Sequence, residues 1–178
     1  MSTPRHMVLT AVGPDRTGLV KQVSSIIHKA GANLEDSRMA VLAGEFALIV
    51  LFSGTDEALE RIKQDSALLE QELGFNLSFR PTRPREGQAA RRRYLLDVTG
   101  PDQPGIVHRV SELLAERQIN VCSLESRLRH AAFSGTPLFQ LTAEIELPTP
   151  ENLVELRGKV EAACEALHLD HRLEPLPD

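Results

Sequence analysis

The chain has 178 residues, of which 42% are hydrophobic and 25% charged, and its formal net charge is −5. These proportions are typical of a globular protein with room for one domain or two small ones. The negative charge disfavours a protein that binds nucleic acid over its whole surface. No apolar run is long enough to predict a membrane-spanning helix. The start of the chain shows no secretion signal, and the two cysteines form no metal-spaced pair, so we expect a reduced, cytoplasmic setting.

In chain order, the first predicted element is a strand over His6–Val12, which must end at Pro14 because proline cannot donate to a sheet. A helix follows, and Asp15 or Thr17 is predicted to cap it. Its apolar face is Leu19, Val20, Val23, Ile26, Ile27 and Ala30. Gly31 is predicted to end this helix. Two strands follow, over Asn33–Leu42 and Glu45–Ser53, joined by a hairpin turn at Ala43-Gly44. The last two elements are a helix capped by Thr55 and ended by Gly74, and a strand over Phe75–Arg80.

Two apolar patterns in this first half bear on packing. The second helix has an apolar stripe of Leu59, Ile62, Leu69 and Leu73. Ser66 interrupts that stripe and is its weak point. The longest apolar run of the chain, Phe46 to Phe52, has the length of a buried strand.

One motif occurs twice. Gly13–Val20 reads Gly-Pro-Asp-Arg-Thr-Gly-Leu-Val, and Gly100–Val107 reads Gly-Pro-Asp-Gln-Pro-Gly-Ile-Val, 87 residues further on. A repeat at this spacing has the size of a small domain and is too long for a solenoid unit. The chain is therefore predicted to contain two copies of one fold.

The second copy repeats the element order of the first. Its predicted elements are a strand over Tyr94–Thr99, a helix with Pro104 at or near its first position, strands over Val121–His130 and Leu138–Leu147, a helix beginning at Thr149–Glu151, and a strand over Asp170–Glu174. It is also predicted to be two residues longer at the start of its second strand, where Cys122–Ser126 replaces Glu35–Ser37. The order β-α-β-β-α-β predicts an α+β protein of two tandem ferredoxin-like domains with antiparallel sheets.

The predicted boundaries are a first domain over 1–81, a linker over 82–93 and a second domain over 94–178. The linker region is rich in proline and arginine. From Arg80 to Arg93 there are six arginines and one glutamate, a local charge of +5, so the remainder carries −10. This cluster could contact phosphates, and the alternatives are a solvated linker or docking onto an acidic partner. No motif that reads bases is present, so direct DNA binding is not expected.

Each repeated turn joins a strand to a helix, and this arrangement has a chemical consequence. The first N–H groups of a helix are unsatisfied and carry partial positive charge, which suits a carboxylate. Gly18 and Gly105 would let a ligand approach the helix start closely. Asp15 and Asp102 could meet an ammonium group, so a free amino acid fits both ends. The competing interpretation is that such turns are only structural punctuation.

The first copy opens with Gly-Pro-Asp-Arg-Thr-Gly-Leu-Val and continues to Gly31-Ala-Asn-Leu-Glu-Asp-Ser-Arg38. It resembles an ACT domain, a small regulatory module that commonly binds amino acids. Two such modules with nothing else attached resemble the glycine cleavage system transcriptional repressor family. Asn33–Met39 and Gly44–Phe46 are particularly similar to that family. The resemblance implies a regulator without catalysis.

In ACT modules the ligand typically lies at an interface between two modules, touched by the loop after the first strand and by the start of the second strand. Carried over to this chain, that implies ligand contacts at Asp15, Thr17, Gly18, Leu19 and Asn33 in the first copy and at Asp102, Gln103, Gly105, Ile106 and Asn120 in the second. Arg16-Thr17 becomes Gln103-Pro104 in the second copy, which removes one N–H and one hydroxyl. The first turn is therefore expected to be the better site.

The predicted function is an amino-acid-responsive regulator, with glycine as the leading ligand. It would act on a protein partner, a DNA-binding transcription factor of glycine metabolism, and a homodimer is expected. The alternatives are a detached regulatory subunit of an amino-acid metabolic enzyme and direct nucleic-acid binding through the arginines.

No catalytic set, cofactor motif or metal-ligand cluster is recognisable in the sequence. Six histidines are scattered, and none belongs to a constellation of converging ligands. Cys122 and Cys164 are both predicted to be small core residues.

Overall fold

The structure, a computed structural model, describes residues 4–83, 92–130, 135–148 and 152–177. Helices and strands make up most of these ranges. They are β1 Arg5–Pro14, α1 Leu19–Lys29, β2 Asn33–Leu42, β3 Glu45–Gly54, α2 Asp56–Leu73, β4 Asn76–Thr82, β5 Arg92–Pro101, α3 Ile106–Glu116, β6 Asn120–His130, β7 Pro137–Leu147, α4 Leu153–Glu165 and β8 Asp170–Pro175. The chain divides into two compact units, Met1–Glu86 and Gly87–Asp178.

Each unit has a four-stranded antiparallel sheet with the same strand order. That order is β2-β3-β1-β4 in the first unit and β6-β7-β5-β8 in the second. Alternate residues of the two central strands are buried against the helices, as Leu9 and Val50 show with 1% exposure each. The predicted tandem ferredoxin-like fold is confirmed, and each unit has its own core.

Three predicted local signals of the first unit are confirmed: the hairpin turn, the cap of α2 and the stop after α1. Ala43 and Gly44 have φ values of 51° and 86°, so the hairpin turn has the left-handed conformation that such two-residue turns need. Thr55 caps α2 by accepting the N–H of Ala58 at 3.3 Å. Gly31 follows α1 with φ 77°, and its N–H donates to His28. Turn and cap chemistry therefore sets the boundaries of the elements.

The strands extend further into the predicted linker than the sequence suggested. β4 reaches Thr82, with Pro81 opposite Met7, and an edge strand tolerates a proline. β5 begins at Arg92, and Arg93 lies opposite Glu146. Arg85 and Arg91 lie outside the described residues. The domain boundaries at 82–93 remain a prediction.

The predicted two-residue extension at the start of β6 is wrong. Both edge strands shift register at equivalent positions, Glu35 in β2 and Cys122 in β6. The two copies therefore correspond residue by residue through this region, and β6 and β7 each have one residue more than β2 and β3. The predicted start of α4 at Thr149–Glu151 lies outside the described residues, and the Asn152 side chain caps α4.

The apolar face of α1 is narrower than predicted. Leu19, Val23 and Ile27 are buried, whereas Val20 is 50% exposed. Its equivalent in α3, Val107, is 37% exposed. Positions next to the stripe satisfy helical periodicity but stay exposed.

Ser66 is the one buried side-chain oxygen without a hydrogen-bond partner among the described residues. The residue is 1% exposed and lies on the core side of α2. Removing an unsatisfied buried hydroxyl gains free energy, and alanine also favours a helix. We expect Ser66→Ala to raise the free energy of unfolding by about 1 kcal/mol.

Urea unfolding of the full chain measures this change. The matched control is Ser24→Ala in α1, because the Ser24 hydroxyl is exposed and donates to Lys21 at 3.1 Å. Ser24→Ala should change stability by less than about 0.5 kcal/mol. A loss of stability in Ser66→Ala would mean that the hydroxyl has a partner.

Candidate functional site

Each repeated turn is held between the end of a central strand and the start of a helix. Gly18 and Gly105 are the N-caps of α1 and α3, with φ 94° in both. The N–H of Asp15 donates to Gly44 at 2.9 Å, and the N–H of Asp102 donates to Pro137 at 3.4 Å. The neighbouring hairpin therefore fixes the start of each turn, and the capping glycines of the two turns have the same backbone conformation.

The first and last glycines of each turn are required for different reasons. A Cβ at Gly13 would lie 2.9 Å from Cγ of Phe75, and one at Gly100 would lie 2.6 Å from Cδ2 of Leu169. The first glycine therefore serves close packing. A Cβ at Gly18 or Gly105 would meet nothing within 4 Å, so the last glycine is needed for its left-handed backbone.

The predicted caps of α1 are absent, and this correction is informative. No side chain accepts a hydrogen bond at the start of α1 or α3. Gly18 itself occupies the cap position, so Asp15 and Thr17 lie too early to reach the N–H groups that a capping residue satisfies. Pro104 also precedes the cap and is not the first helical residue.

The other two helices are capped and carry an acid in the first turn. α2 has Thr55 with Asp56 and Glu57, and α4 has Asn152 with Glu155. α1 and α3 have neither a capping side chain nor an acidic residue in the first turn. Among the four described helices, the two at the repeated turns are therefore those whose positive dipole end has no acidic residue in the first turn.

The predicted site residues of the turns differ in what they can offer. The side chains of Asp15, Thr17 and Asp102 are exposed and make no hydrogen bond with the described residues. Leu19 and Ile106 are 4% and 1% exposed, so they belong to the core and offer only their backbone N–H.

The second turn is more constrained than the first. Nε2 of Gln103 donates to the carbonyl of Leu167 at 2.5 Å, which ties the turn to the end of α4. In the first turn, Thr17 follows the position that corresponds to Gln103, and its hydroxyl is exposed. The first turn therefore has more free donors.

The asparagines lie away from the turns of their own units. Asn33 pairs with Ser53, which also pairs with His6 at the far end of β1. Gly13 is seven residues further along β1, a distance of about 23 Å. Asn120 has the equivalent position and donates to Glu146 at 3.3 Å. One small ligand cannot touch both the turn and the asparagine of the same unit.

An open groove of about 670 Å³ between α1 and α2 reaches the first turn, and the sequence reasoning missed it. It is lined by Gly18, Lys21, Gln22, Ser25, Ile26, Lys29, Asp65 and Leu69. The four-residue spacing of Lys21, Ser25 and Lys29 places them on one face of α1. This spacing alone could have indicated a polar helix face beside the turn. The groove between α3 and α4 does not include Gly105.

The two cysteines have different environments. Cys164 is buried as predicted, but Cys122 is exposed, because it is the bulged residue of an edge strand. Burial raises the pKa of the Cys122 thiol, and Glu146 adds to this effect. Burial alone raises the pKa of Cys164.

We expect a thiol reagent to label one cysteine in the native protein and two after denaturation. Only the thiolate reacts, so the raised pKa should make Cys122 react more slowly than a free cysteine at pH 8, with a rate that increases as the pH rises. The Cys122→Ser variant should show no fast label. Two labels in the native protein would contradict the burial of Cys164.

Within the ranges that the structure describes, no group of three or more His, Cys, Asp or Glu side chains could hold a metal ion. The helices of these ranges include none with the length and apolarity needed to cross a membrane.

The fold and its turns define a class of protein. Residues 5–80 match the ACT domain family. The second unit repeats the element order, the sheet order and the glycine-capped turn of the first. The first unit therefore matches the ACT domain family, and the chain as a whole has a tandem fold of the ACT type.

One protein and two crystal structures resemble it along nearly the whole chain. The glycine cleavage system transcriptional repressor of Escherichia coli (strain K12) is 28% identical over 170 residues, which cover 94% of this chain and 88% of that protein. A crystal structure of a candidate glycine cleavage system transcriptional repressor is 28% identical with a TM-score of 0.73, covering 99% of this chain and 100% of that chain. An unknown protein from Galdieria sulphuraria is 32% identical with a TM-score of 0.84, covering 98% and 100%. These similarities support a regulatory role.

Proposed function

We propose that this protein is a cytoplasmic, non-catalytic regulator of the glycine cleavage system that responds to an amino acid and acts through a protein partner. The observation that carries the proposal is the pair of helix starts without side-chain caps. Both lie at the repeated turns, while the other two helices are capped. Whole-length similarity to the named repressor supports the choice of system.

The first turn is the main ligand site in this proposal. The N–H groups that follow Gly18 would bind the carboxylate of the amino acid. The Asp15 carboxylate would meet its ammonium group, and the Thr17 hydroxyl would add a hydrogen bond. Leu19 contributes its backbone N–H while its side chain anchors the helix in the core.

The second turn, through Asp102, Gln103, Gly105 and Ile106, would be a weaker site. Its Gln103 side chain is already bonded to Leu167. Asn33 and Asn120 would contact a ligand only when it is held by the turn of a different domain, because each is about 23 Å from its own turn.

The partner is proposed to be a DNA-binding transcription factor, with the amino acid shifting the equilibrium between assembly states. A ligand can do this only if it binds one state better than the other. A homodimer is part of the proposal. Arg93, one of the six clustered arginines, is paired with Glu144 at 3.0 Å, which disfavours its use on phosphates.

A thermal-shift screen of the amino acids tests ligand binding, because a ligand that binds only the folded state raises its stability. Glycinamide and acetate are the matched controls for a glycine response, since each lacks one of the two charged groups. Glycine or a related amino acid should raise Tm, and neither control should. If no amino acid changes Tm, the sensing function is wrong.

The alternative of a detached regulatory subunit differs only in the partner. Capture of interacting proteins on the immobilised full chain, with and without the amino acid, distinguishes the two. An enzyme of amino-acid metabolism as the specific partner would favour the alternative, and a DNA-binding protein would favour the proposal.

A further inference from the structure

The sheet of the first unit has an unusual outer face. Its helices cover one side, and we call the other side the open face. Its apolar residues are Val8, Val12, Ala40, Leu42, Ala47, Ile49 and Leu51. An antiparallel sheet with one solvated face normally alternates apolar and polar residues along each strand. β3 does not alternate, because every residue from Phe46 to Phe52 is apolar.

A continuous apolar strand is typical of a strand that is buried on both faces. In the structure only the helix side of β3 is buried between Phe46 and Phe52. On the open face Val12 is 45% exposed, Ile49 46% and Leu42 71%. An apolar patch that spans three neighbouring strands is a signature of an interaction surface.

The second sheet gives an internal comparison, since it has the same strand order and register. The outward residues of β7 that correspond to Ala47, Ile49 and Leu51 are Gln140, Thr142 and Glu144. The outward residue of β6 that corresponds to Ala40 is Arg127. The second sheet therefore follows the usual alternation, and the apolar outer surface belongs to the first sheet alone.

Charges at the two margins of the open face indicate which partner fits. One row across the sheet runs Asp36, Leu51, Val8 and Arg80 from edge to edge. Asp36 is bonded to Arg38 at 2.5 Å, while Arg80 makes no ion pair with the described residues. The row is thus acidic at one end, apolar in the middle and basic at the other end.

This row is complementary to itself. A two-fold axis parallel to the strands would place β2 of one copy over β4 of another and keep the rows level. Asp36 would then face Arg80 of the second copy at both ends, with Leu51 over Val8 between them. Sheets that pack face to face in aligned fashion keep their strands within about 30° of each other.

The area of the face is sufficient for a specific dimer. Four strands at about 4.8 Å spacing and ten residues at about 3.3 Å rise give about 600 Å² per copy. Burial of both faces removes about 1,200 Å², the lower end of the range for specific interfaces. A dimer in equilibrium with monomer is the expected behaviour.

We propose that the open face of the first sheet packs against the same face of a second copy of this chain, with Asp36 of one copy opposite Arg80 of the other. This goes beyond the proposed function, because it assigns the surface and the alignment of the dimer. It does not depend on ligand binding.

The test measures the mass of the full chain by sedimentation equilibrium over a range of concentrations. Wild type should associate to a dimer, and Ile49→Glu should raise the dissociation constant at least tenfold. The matched control is Gln140→Glu on the second sheet, which should leave the constant unchanged. Each new carboxylate has an arginine on the adjoining edge strand, Arg38 or Arg127, so both variants should fold, which circular dichroism checks.

A charge exchange tests the alignment. Arg80→Asp should weaken the dimer, because it places two carboxylates opposite each other, and the double variant Arg80→Asp with Asp36→Arg should restore it. The proposal is overturned if wild type stays monomeric, if Ile49→Glu dimerises like wild type, or if the double variant is no better than Arg80→Asp. The amino-acid response of Tm is recorded separately for each variant, so a failed dimer overturns only the homodimer in the proposed function and leaves its amino-acid response to be judged on its own.

Discussion

Gly18→Val should abolish the stabilisation of this protein by its amino acid. Gly18 has φ 94°, a conformation that a β-branched residue strongly disfavours. Space is not the limit, because a Cβ there would meet no atom within 4 Å. The backbone of the cap must change instead, at a cost of about 1–3 kcal/mol. That change moves the N–H groups on which the carboxylate would bind, and calorimetric titration with the responding amino acid measures the loss.

The control for this variant lies at the other end of the same helix. Gly31 also has positive φ, 77°, and open space around its Cα. Gly31→Val should therefore destabilise the first unit by a similar amount while ligand binding is kept. Gly105→Val repeats the experiment on the second turn and should reduce binding less. If Gly18→Val binds like wild type, the turn has only a structural role.

Most of the fold could be predicted because its signals are local and occur twice. The hairpin at Ala43-Gly44 and the cap at Thr55 depend on the chemistry of a few adjacent residues. Because the second half of the chain repeats the motif and element order of the first, the same fold could be predicted there. The element order was enough to give the fold class, since one compact arrangement of these strands and helices is common.

The errors concern exposure and the exact start of the helices. Periodicity gives the direction of a side chain around a helix but not the width of the face that is buried. It therefore predicts a core position for Val20, which is half exposed in the structure. Cys122 is apolar enough for a core strand, but its strand is an edge strand with a bulge. The cap was missed because glycine at this position acts through its backbone and leaves no side-chain signal.

The geometry of the candidate site could be predicted in part. The donors of the turn follow from the sequence, whereas the position of Asn33 required topology. α1 has 11 residues and runs back along the sheet for about 16 Å, so β2 starts at the end opposite the turn. The predicted lengths of β1 and α1 alone imply this position. The apolar open face could also be seen in Phe46–Phe52, but its exposure depended on where the helices pack.

Gly100→Ala should destabilise the second domain by about 2 kcal/mol or more. A Cβ at this position would lie 2.6 Å from Cδ2 of Leu169, 3.0 Å from the carbonyl oxygen of His168 and 3.1 Å from Cα of Leu169. The leucine methyl group can rotate away, but the two backbone atoms are fixed at the start of β8. The added methyl group therefore pushes β5 and the turn before β8 apart. Urea unfolding monitored by circular dichroism measures the change.

Gly158→Ala in the same domain is the control, and it should have the opposite sign. Gly158 lies within α4, and a Cβ there would meet no atom within 4 Å. Alanine is the better helix former by about 1 kcal/mol, so this variant should gain stability up to that amount. Equal effects of the two substitutions would contradict the close contact at Gly100. Opposite effects would show that the first glycine of the turn serves packing, which separates its role from that of Gly105 at the helix cap.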